Sequence, residues 1–150
     1  VSNYADGDFK TKYGTVTARN PGRVTAPPNL QTYDQDGGGT VTLQGPALRA
    51  FRAAEKRITP KRMLKRGKVK SIQITGVGYR SFALQKALFD DEPGRFANPN
   101  GSLHVEGLAV DVDQGQSARR LAAIKRALVA EGWFYGVDGE PWHASYRLSG

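Results

Sequence analysis

The sequence has 150 residues, 39% of them hydrophobic and 24% charged, which suits one domain able to bury a continuous apolar core. It contains no cysteine, which excludes a disulfide framework and thiolate metal ligands, so any metal site must be built from imidazole and carboxylate. No apolar run approaches the roughly 20 residues of a membrane span, and the amino terminus lacks the basic-then-apolar pattern of a signal peptide.

Residues 1–45 are rich in Gly, Pro, Thr, Asn and Asp, with breakers at Pro21-Gly22, Pro27-Pro28 and Gly37 to Gly39. They are expected to form an arm of loops and short strands belonging to the same domain as the rest. From Pro46 onward Leu48, Phe51, Ala54 and Ile58 recur at helical spacing, and a proline suits the first helical position, so a helix is predicted over about 46–57. The β-branched run IQITGVG at 72–78 predicts a strand leading into a turn that carries Tyr79 and Arg80. Ser81 then caps a second helix, FALQKALF, and the breaker-rich stretch 90–101 reads as a loop.

The segment LAVDV at 108–112 alternates as a strand does. Leu108, Val110 and Val112 face one way, and Ala109 and Asp111 the other, so a carboxylate sits beside a small side chain where a metal has room. Asp113 shares the face of Asp111. Ser117 caps a third helix with a buried stripe of Leu121, Ile124 and Leu128, a basic exposed face, and Gly132 as its stop. GWFYGV and ASYRL read as two further strands joined by the turn DGEPW. Helices and strands mix without regular βαβ alternation, so the expected class is α+β, a small antiparallel sheet with flanking helices.

The formal charge of +8 arises from 22 basic and 14 acidic side chains. Residues 56–70, KRITPKRMLKRGKVK, hold eight basic residues and no acidic one, and the rest of the chain balances. Such a stripe attracts polyanions without regard to sequence, whether nucleic acid, wall teichoic acid or anionic lipid head groups, and a solvated face needs no partner at all. No recognisable nucleic-acid-binding module accompanies it.

The chain has two histidines, His104 and His143, each set among glycine, proline and carboxylate rather than in an apolar helical stripe. A catalytic zinc site needs about three protein ligands and one open position, a count that two histidines and one aspartate satisfy. A tight turn at Gly107 would let His104 and Asp111 approach one ion, with His143 arriving from a neighbouring strand.

Three short segments bear on this. SLHVEGLAVD at 102–111 has the form Ser-x-His-x-x-Gly-x-Ala-x-Asp, EPWH stands at 140–143, and GYRSFALQ at 78–85 precedes both. In order and content they resemble the zinc D-alanyl-D-alanine carboxypeptidases of the VanY type, relatives of the D-Ala-D-Ala dipeptidases and the hedgehog signalling domain. The resemblance covers roughly residues 46–146. It implies a hedgehog/D-Ala-D-Ala peptidase-like fold whose zinc peptidase core is 46–150, with Zn2+ held by His104, Asp111 and His143 and Glu140 as catalytic base.

Carried onto this chain, the chemistry is metal-assisted amide hydrolysis. Glu140 takes a proton from the attacking water and returns it to the leaving amine. Arg80 offers a guanidinium to the developing oxyanion, or alternatively a clamp for the terminal carboxylate of the substrate. Ser102, Gln85 and Tyr79 are candidate substrate contacts. Gly107 and Ala109 are expected to allow close approach, Trp142 to pack beside His143, and Asp113 either to support Asp111 or to be solvated.

The expected substrate is the stem peptide of peptidoglycan, placing the chain at the cell envelope, secreted, or in a phage-encoded lysin, as a monomer. A related branch that cuts between L-alanine and D-glutamate tends to carry Asp-x-Pro-His where this chain has EPWH, which favours a carboxypeptidase over an endopeptidase. The other class is a non-catalytic module that binds a wall polymer or nucleic acid through residues 56–70. Against it, a structural zinc site would need a fourth ligand that neither cysteine nor a third histidine can supply.

Overall fold

The computed structural model describes residues 7–11, 14–18, 27, 29–92, 94–96 and 102–148. Pro21-Gly22, Pro28 and positions 93 and 97–101 of the expected loop lie outside them. In chain order the elements are β1 (Gly7–Thr11), β2 (Gly14–Ala18), β3 (Leu30–Asp34), β4 (Thr40–Gln44), α1 (Gly45–Arg57), α2 (Lys61–Lys65) and β5 (Ile74–Thr75). There follow α3 (Phe82–Asp91), β6 (Ala109–Val112), α4 (Ala118–Ala130), β7 (Trp133–Phe134) and β8 (His143–Tyr146). The strands form hairpins β1-β2 and β3-β4 and an antiparallel sheet of order β5-β6-β8-β7. The α+β class read from the sequence is the class observed.

α1 forms where the apolar spacing places it. Pro46 occupies its first turn, where no intrahelical donor is required, and Lys56 and Arg57 meet the negative end of its dipole. Its buried face, Ala47, Leu48, Ala50, Phe51 and Ala54, packs into a core shared with Val41 and Leu43 of β4, Val110 and Val112 of β6, Ile124 and Leu128 of α4, and Trp133. Ser81 and Ser117 cap α3 and α4 as expected, their hydroxyls accepting from the backbone N–H of Leu84 and Arg120 at 3.1 and 3.2 Å.

The strand expected over 72–78 is shorter. Gly76 and Gly78 adopt φ of 69° and 91°, outside the extended region, so the β5 ladder stops at Thr75, and Gly78 instead bridges in parallel to Thr42 of β4. Of the two carboxy-terminal strands, the first is trimmed to Trp133–Phe134, and the second begins one residue earlier than expected, at His143, and ends at Tyr146.

One polar tie lies beneath the surface. Glu55 of α1 is 1% exposed, and its Oε2 accepts from Gln35 Nε2 at 2.8 Å and from the backbone N–H of Ile72 at 2.9 Å. Burial raises its pKa to about 7, opposed by the Ile72 hydrogen bond. It thereby joins the β3-β4 hairpin, α1 and the approach to β5.

Candidate metal centre

The site is assembled from one turn and two paired strands. His104 lies on a turn closed by hydrogen bonds from Gly107 N to His104 O (3.1 Å) and from Leu108 N to Leu103 O (3.0 Å). Gly107 takes φ 70°, and a Cβ there would lie 2.7 Å from Leu30 Cδ2 and 3.2 Å from Gln44 N. The closeness expected of Gly107 is therefore real, but it serves packing against the β3-β4 hairpin. Asp111 and His143 are direct partners in the β6-β8 register, and Thr75 of β5 flanks Asp111 on the other side. Cross-strand partners share a sheet face, which is what places both side chains together.

The three candidate ligands converge. His104 Nε2 lies 3.2 Å from Asp111 Oδ1, and His143 Nδ1 lies 3.3 Å from the same oxygen. The imidazole rings meet edge to face, with centroids 5.1 Å apart. Their candidate ligand atoms all lie within 4.8 Å of one another, and among the described residues this is the group of His, Asp and Glu able to hold a metal ion.

The hydrogen bonds behind the rings test whether a cation fits. His104 Nδ1 is 2.8 Å from Gly78 O, and a carbonyl only accepts, so Nδ1 carries the proton. In the neutral ring Nε2 is then a bare lone pair facing a carboxylate oxygen. His143 Nε2 is 2.9 Å from Ser145 Oγ, which can accept from it and leave Nδ1 bare as well. Two lone pairs and a carboxylate pointed at one another repel unless a proton or a cation stands between them. The tautomer that Gly78 O imposes on His104, and the opposite one that Ser145 Oγ accommodates in His143, thus aim three donors at one point, as a zinc site requires.

Burial alone would raise the pKa of Asp111. With protons rather than a cation standing between the rings and Asp111, hydrogen bonds from His104 and His143, and then the electrostatic pull of His104 and Arg80, outweigh it and hold the carboxyl well below the usual range. Arg80 Nη2 stands 3.7 Å from Asp111 Oδ2, and Arg80 Nη1 donates to Gln85 Oε1 at 2.6 Å. Burial lowers the guanidinium pKa and Asp111 pulls it back, so the arginine stays charged beside the acid. The backbone N–H of Arg80 also donates to His104 O at 3.0 Å, tying the two residues' positions together.

The other predicted residues fall around this centre unevenly. Gln85 is fully buried and its carbonyl end holds Arg80. Ser102 is buried two residues ahead of His104, while Tyr79 is half-buried with its N–H donating to Thr42 O. Glu140 is half-buried in the turn before β8, where its carbonyl accepts from His143 N at 3.2 Å. Its carboxylate makes no hydrogen bond or ion pair with any described residue. Trp142, expected to pack beside His143, is instead an exposed side chain whose carbonyl accepts from Val112 N. Asp113 supports no ligand; its Oδ1 accepts from Gly115 N in the turn after β6.

Two groups behind the ligands went unread in the sequence. Ser145 follows His143 by two positions and so shares its strand face, a signal the period of two makes available. The carbonyl of Gly78 has no side-chain signature, and only the fold brings it to His104.

No family model matches the chain, and no curated protein matches it. Among solved structures the chain is similar to the LD-carboxypeptidase LdcB, described in connection with peptidoglycan recognition, at 18% identity over 97% of this chain and 83% of that one, with a TM-score of 0.47. It is also similar to the vancomycin-resistance D,D-pentapeptidase VanY in complex with Zn(II), at 20% identity over 83% of this chain and 84% of that one, with a TM-score of 0.47. Likenesses this remote leave the reading of the site to its own geometry.

Proposed function

We propose that this chain is a zinc-dependent peptidase of peptidoglycan stem peptides, acting as a D-alanyl-D-alanine carboxypeptidase. The observation that carries the reading is the convergence of His104 Nε2, Asp111 Oδ1 and His143 Nδ1, with each ring's other nitrogen already engaged. The motifs around these residues, and the EPWH segment in particular, narrow the chemistry to that substrate class.

Zinc, when bound by His104, Asp111 and His143, supplies Lewis acidity and brings the ionisation of water from about 15.7 toward about 7. The three side chains fix the ion's place and leave room for solvent or substrate, since no fourth protein donor joins them among the described residues. Glu140, whose carboxylate is not engaged by any described residue, accepts the proton of the attacking water and delivers it to the leaving amine. Arg80, held by Gln85 and Asp111, offers a fixed positive charge to the oxygen that becomes negative during attack, or to the carboxylate of the terminal D-alanine. Ser102 and Tyr79 contribute substrate contacts from the two segments that flank the centre.

This reading places the chain at the cell wall, as an envelope or secreted enzyme or the module of a lysin, working as a monomer. Its partners are the stem peptide and, through residues 56–70, an anionic polymer of the same wall. An endopeptidase cutting between L-alanine and D-glutamate is the second reading, and Glu140-Pro141-Trp142-His143 favours the first.

The test is mass-spectrometric detection of D-alanine release from a pentapeptide stem. Release is expected with zinc, to stop with chelator, and to fall about 100-fold or more in Glu140→Gln with zinc content unchanged. Chelator-insensitive release, or a fully active Glu140→Gln, overturns the mechanism, and cleavage after L-alanine instead selects the second reading.

A further inference from the structure

The basic run differs from an ordinary solvated face in several respects. All eight of its cations, Lys56, Arg57, Lys61, Arg62, Lys65, Arg66, Lys68 and Lys70, are exposed. Arg57 is paired with Glu131, and none of the other seven forms an ion pair with a described residue. α2, at the centre of the run, buries none of its residues, so it forms a surface and adds little to the core.

That surface is held in place. Lys68 N donates to Met63 O at 3.0 Å across a reversal at Gly67 (φ 72°), Val69 N to Asp36 Oδ2 at 2.7 Å, and Lys70 N to Thr59 Oγ1 at 2.9 Å. A pre-ordered charged surface loses little backbone entropy when it binds. Beside α2 runs a groove of about 340 Å³ bordered by Lys68, Lys70 and Arg120, with Ser71 and Gln73 between them. Asp36 also borders it, its carboxylate already accepting from Val69 N.

We propose that α2, residues 65–70 and Arg120 form a docking surface for a phosphodiester-linked polymer attached to peptidoglycan, which concentrates the enzyme beside its peptide substrate. The choice of partner rests on the peptidase reading above. The chemistry of the surface agrees with it in three ways. Ammonium and guanidinium groups suit phosphate oxygens. Residues 56–70 include no aromatic side chain on which a nucleic-acid base could stack, so charge alone is read. Leu64 is the one large hydrophobic exposed on α2, too little apolar surface for an interfacial helix in lipid. The placement also agrees: Lys70 precedes Thr75, the register partner of Asp111, by five residues, a reach of at most about 18 Å.

The experiment is co-sedimentation of the full chain with wall sacculi that carry the phosphate polymer and with sacculi stripped of it by hydrogen fluoride. Binding to the first is expected to exceed binding to the second about tenfold or more, and to fall at least about tenfold between about 50 and about 200 mM salt. Lys61→Gln/Lys65→Gln/Lys68→Gln should lose most of this binding and release D-alanine from polymer-bearing sacculi more slowly, while hydrolysing a soluble stem peptide at the wild-type rate. Equal sedimentation with stripped sacculi, salt-independent binding of the wild-type chain, or tighter retention on duplex DNA or phosphatidylglycerol vesicles overturns the proposal. Sedimentation needs no turnover, so an inactive chain that still binds polymer-bearing sacculi counts for the docking surface and against the peptidase reading alone.

Discussion

Asp111 and His143 stand opposite one another on β6 and β8, with Asp111 Oδ1 3.3 Å from His143 Nδ1, while Ser145, two residues further along β8, holds the far nitrogen of the same ring at 2.9 Å. One strand thus carries both a candidate ligand and the hydroxyl that engages its other ring nitrogen. The pair is as rigid as the ladder beneath it, which is why a ligand set separated by tens of residues can be held without a disulfide.

Ser145→Ala removes the acceptor behind His143 and leaves the ring free to keep its proton on Nδ1. Zinc affinity, measured by competition with a chromogenic chelator, is expected to fall about 10- to 100-fold, while thermal stability of the chelator-treated protein changes little. An unchanged affinity would show that the hydroxyl does not set the tautomer.

Gln85→Leu removes the carbonyl that holds Arg80 Nη1, leaving the Asp111 carboxylate beside its Nη2. Zinc content should be retained. The kinetic split identifies the role of Arg80: a fall in kcat at similar KM indicates the oxyanion, and a rise in KM at similar kcat indicates the terminal carboxylate. If neither constant moves, Gln85 does not position Arg80 for the reaction.

Glu55 makes stability depend on pH in the direction opposite to an ion-paired acid. Burial pushes its pKa from the ordinary 4.5 up to about 7 in the folded chain, so the folded state binds its proton more tightly. The associated stability is fully present below about pH 4.5, declines as pH rises, and is gone above about pH 7, amounting to about 3 kcal/mol. Glu55→Gln keeps an oxygen that can accept from Gln35 and Ile72 but does not titrate. Urea unfolding at pH 5 and pH 8 should show the wild type losing most of that amount relative to the variant, and parallel pH profiles would refute the assignment.

Gly107→Ala forces a side chain into a positive-φ turn and against Leu30 Cδ2 at 2.7 Å. A loss of about 1–3 kcal/mol is expected from the backbone conformation alone. Because His104 sits on the same turn, zinc affinity should fall with stability. Chemical denaturation and chelator competition check the two effects separately, and a variant as stable as the wild type would mean the hairpin gives way.

Much was legible in the sequence because it depends on local chemistry. Apolar spacing located α1 and α4, the hydroxyls of Ser81 and Ser117 marked helix starts, and the alternation LAVDV showed which residues share the face of Asp111. The shortage of histidine and the absence of cysteine left few candidates for a metal site. Where β5 would stop was less plain, since a glycine in a strand can be extended or left-handed and only the surrounding contacts select.

The tertiary structure decided what the ligands lean on. Strand register put Asp111 against His143, and the approach of β4 brought the Gly78 carbonyl under His104, a contact between residues 26 apart in the chain. Backbone carbonyls are identical at every position in a sequence, and a side chain's hydrogen-bond partner is fixed by which segments pack together. The sequence by itself therefore determined the kinds of atoms available for chemistry, and the packing of distant segments determined where their lone pairs point.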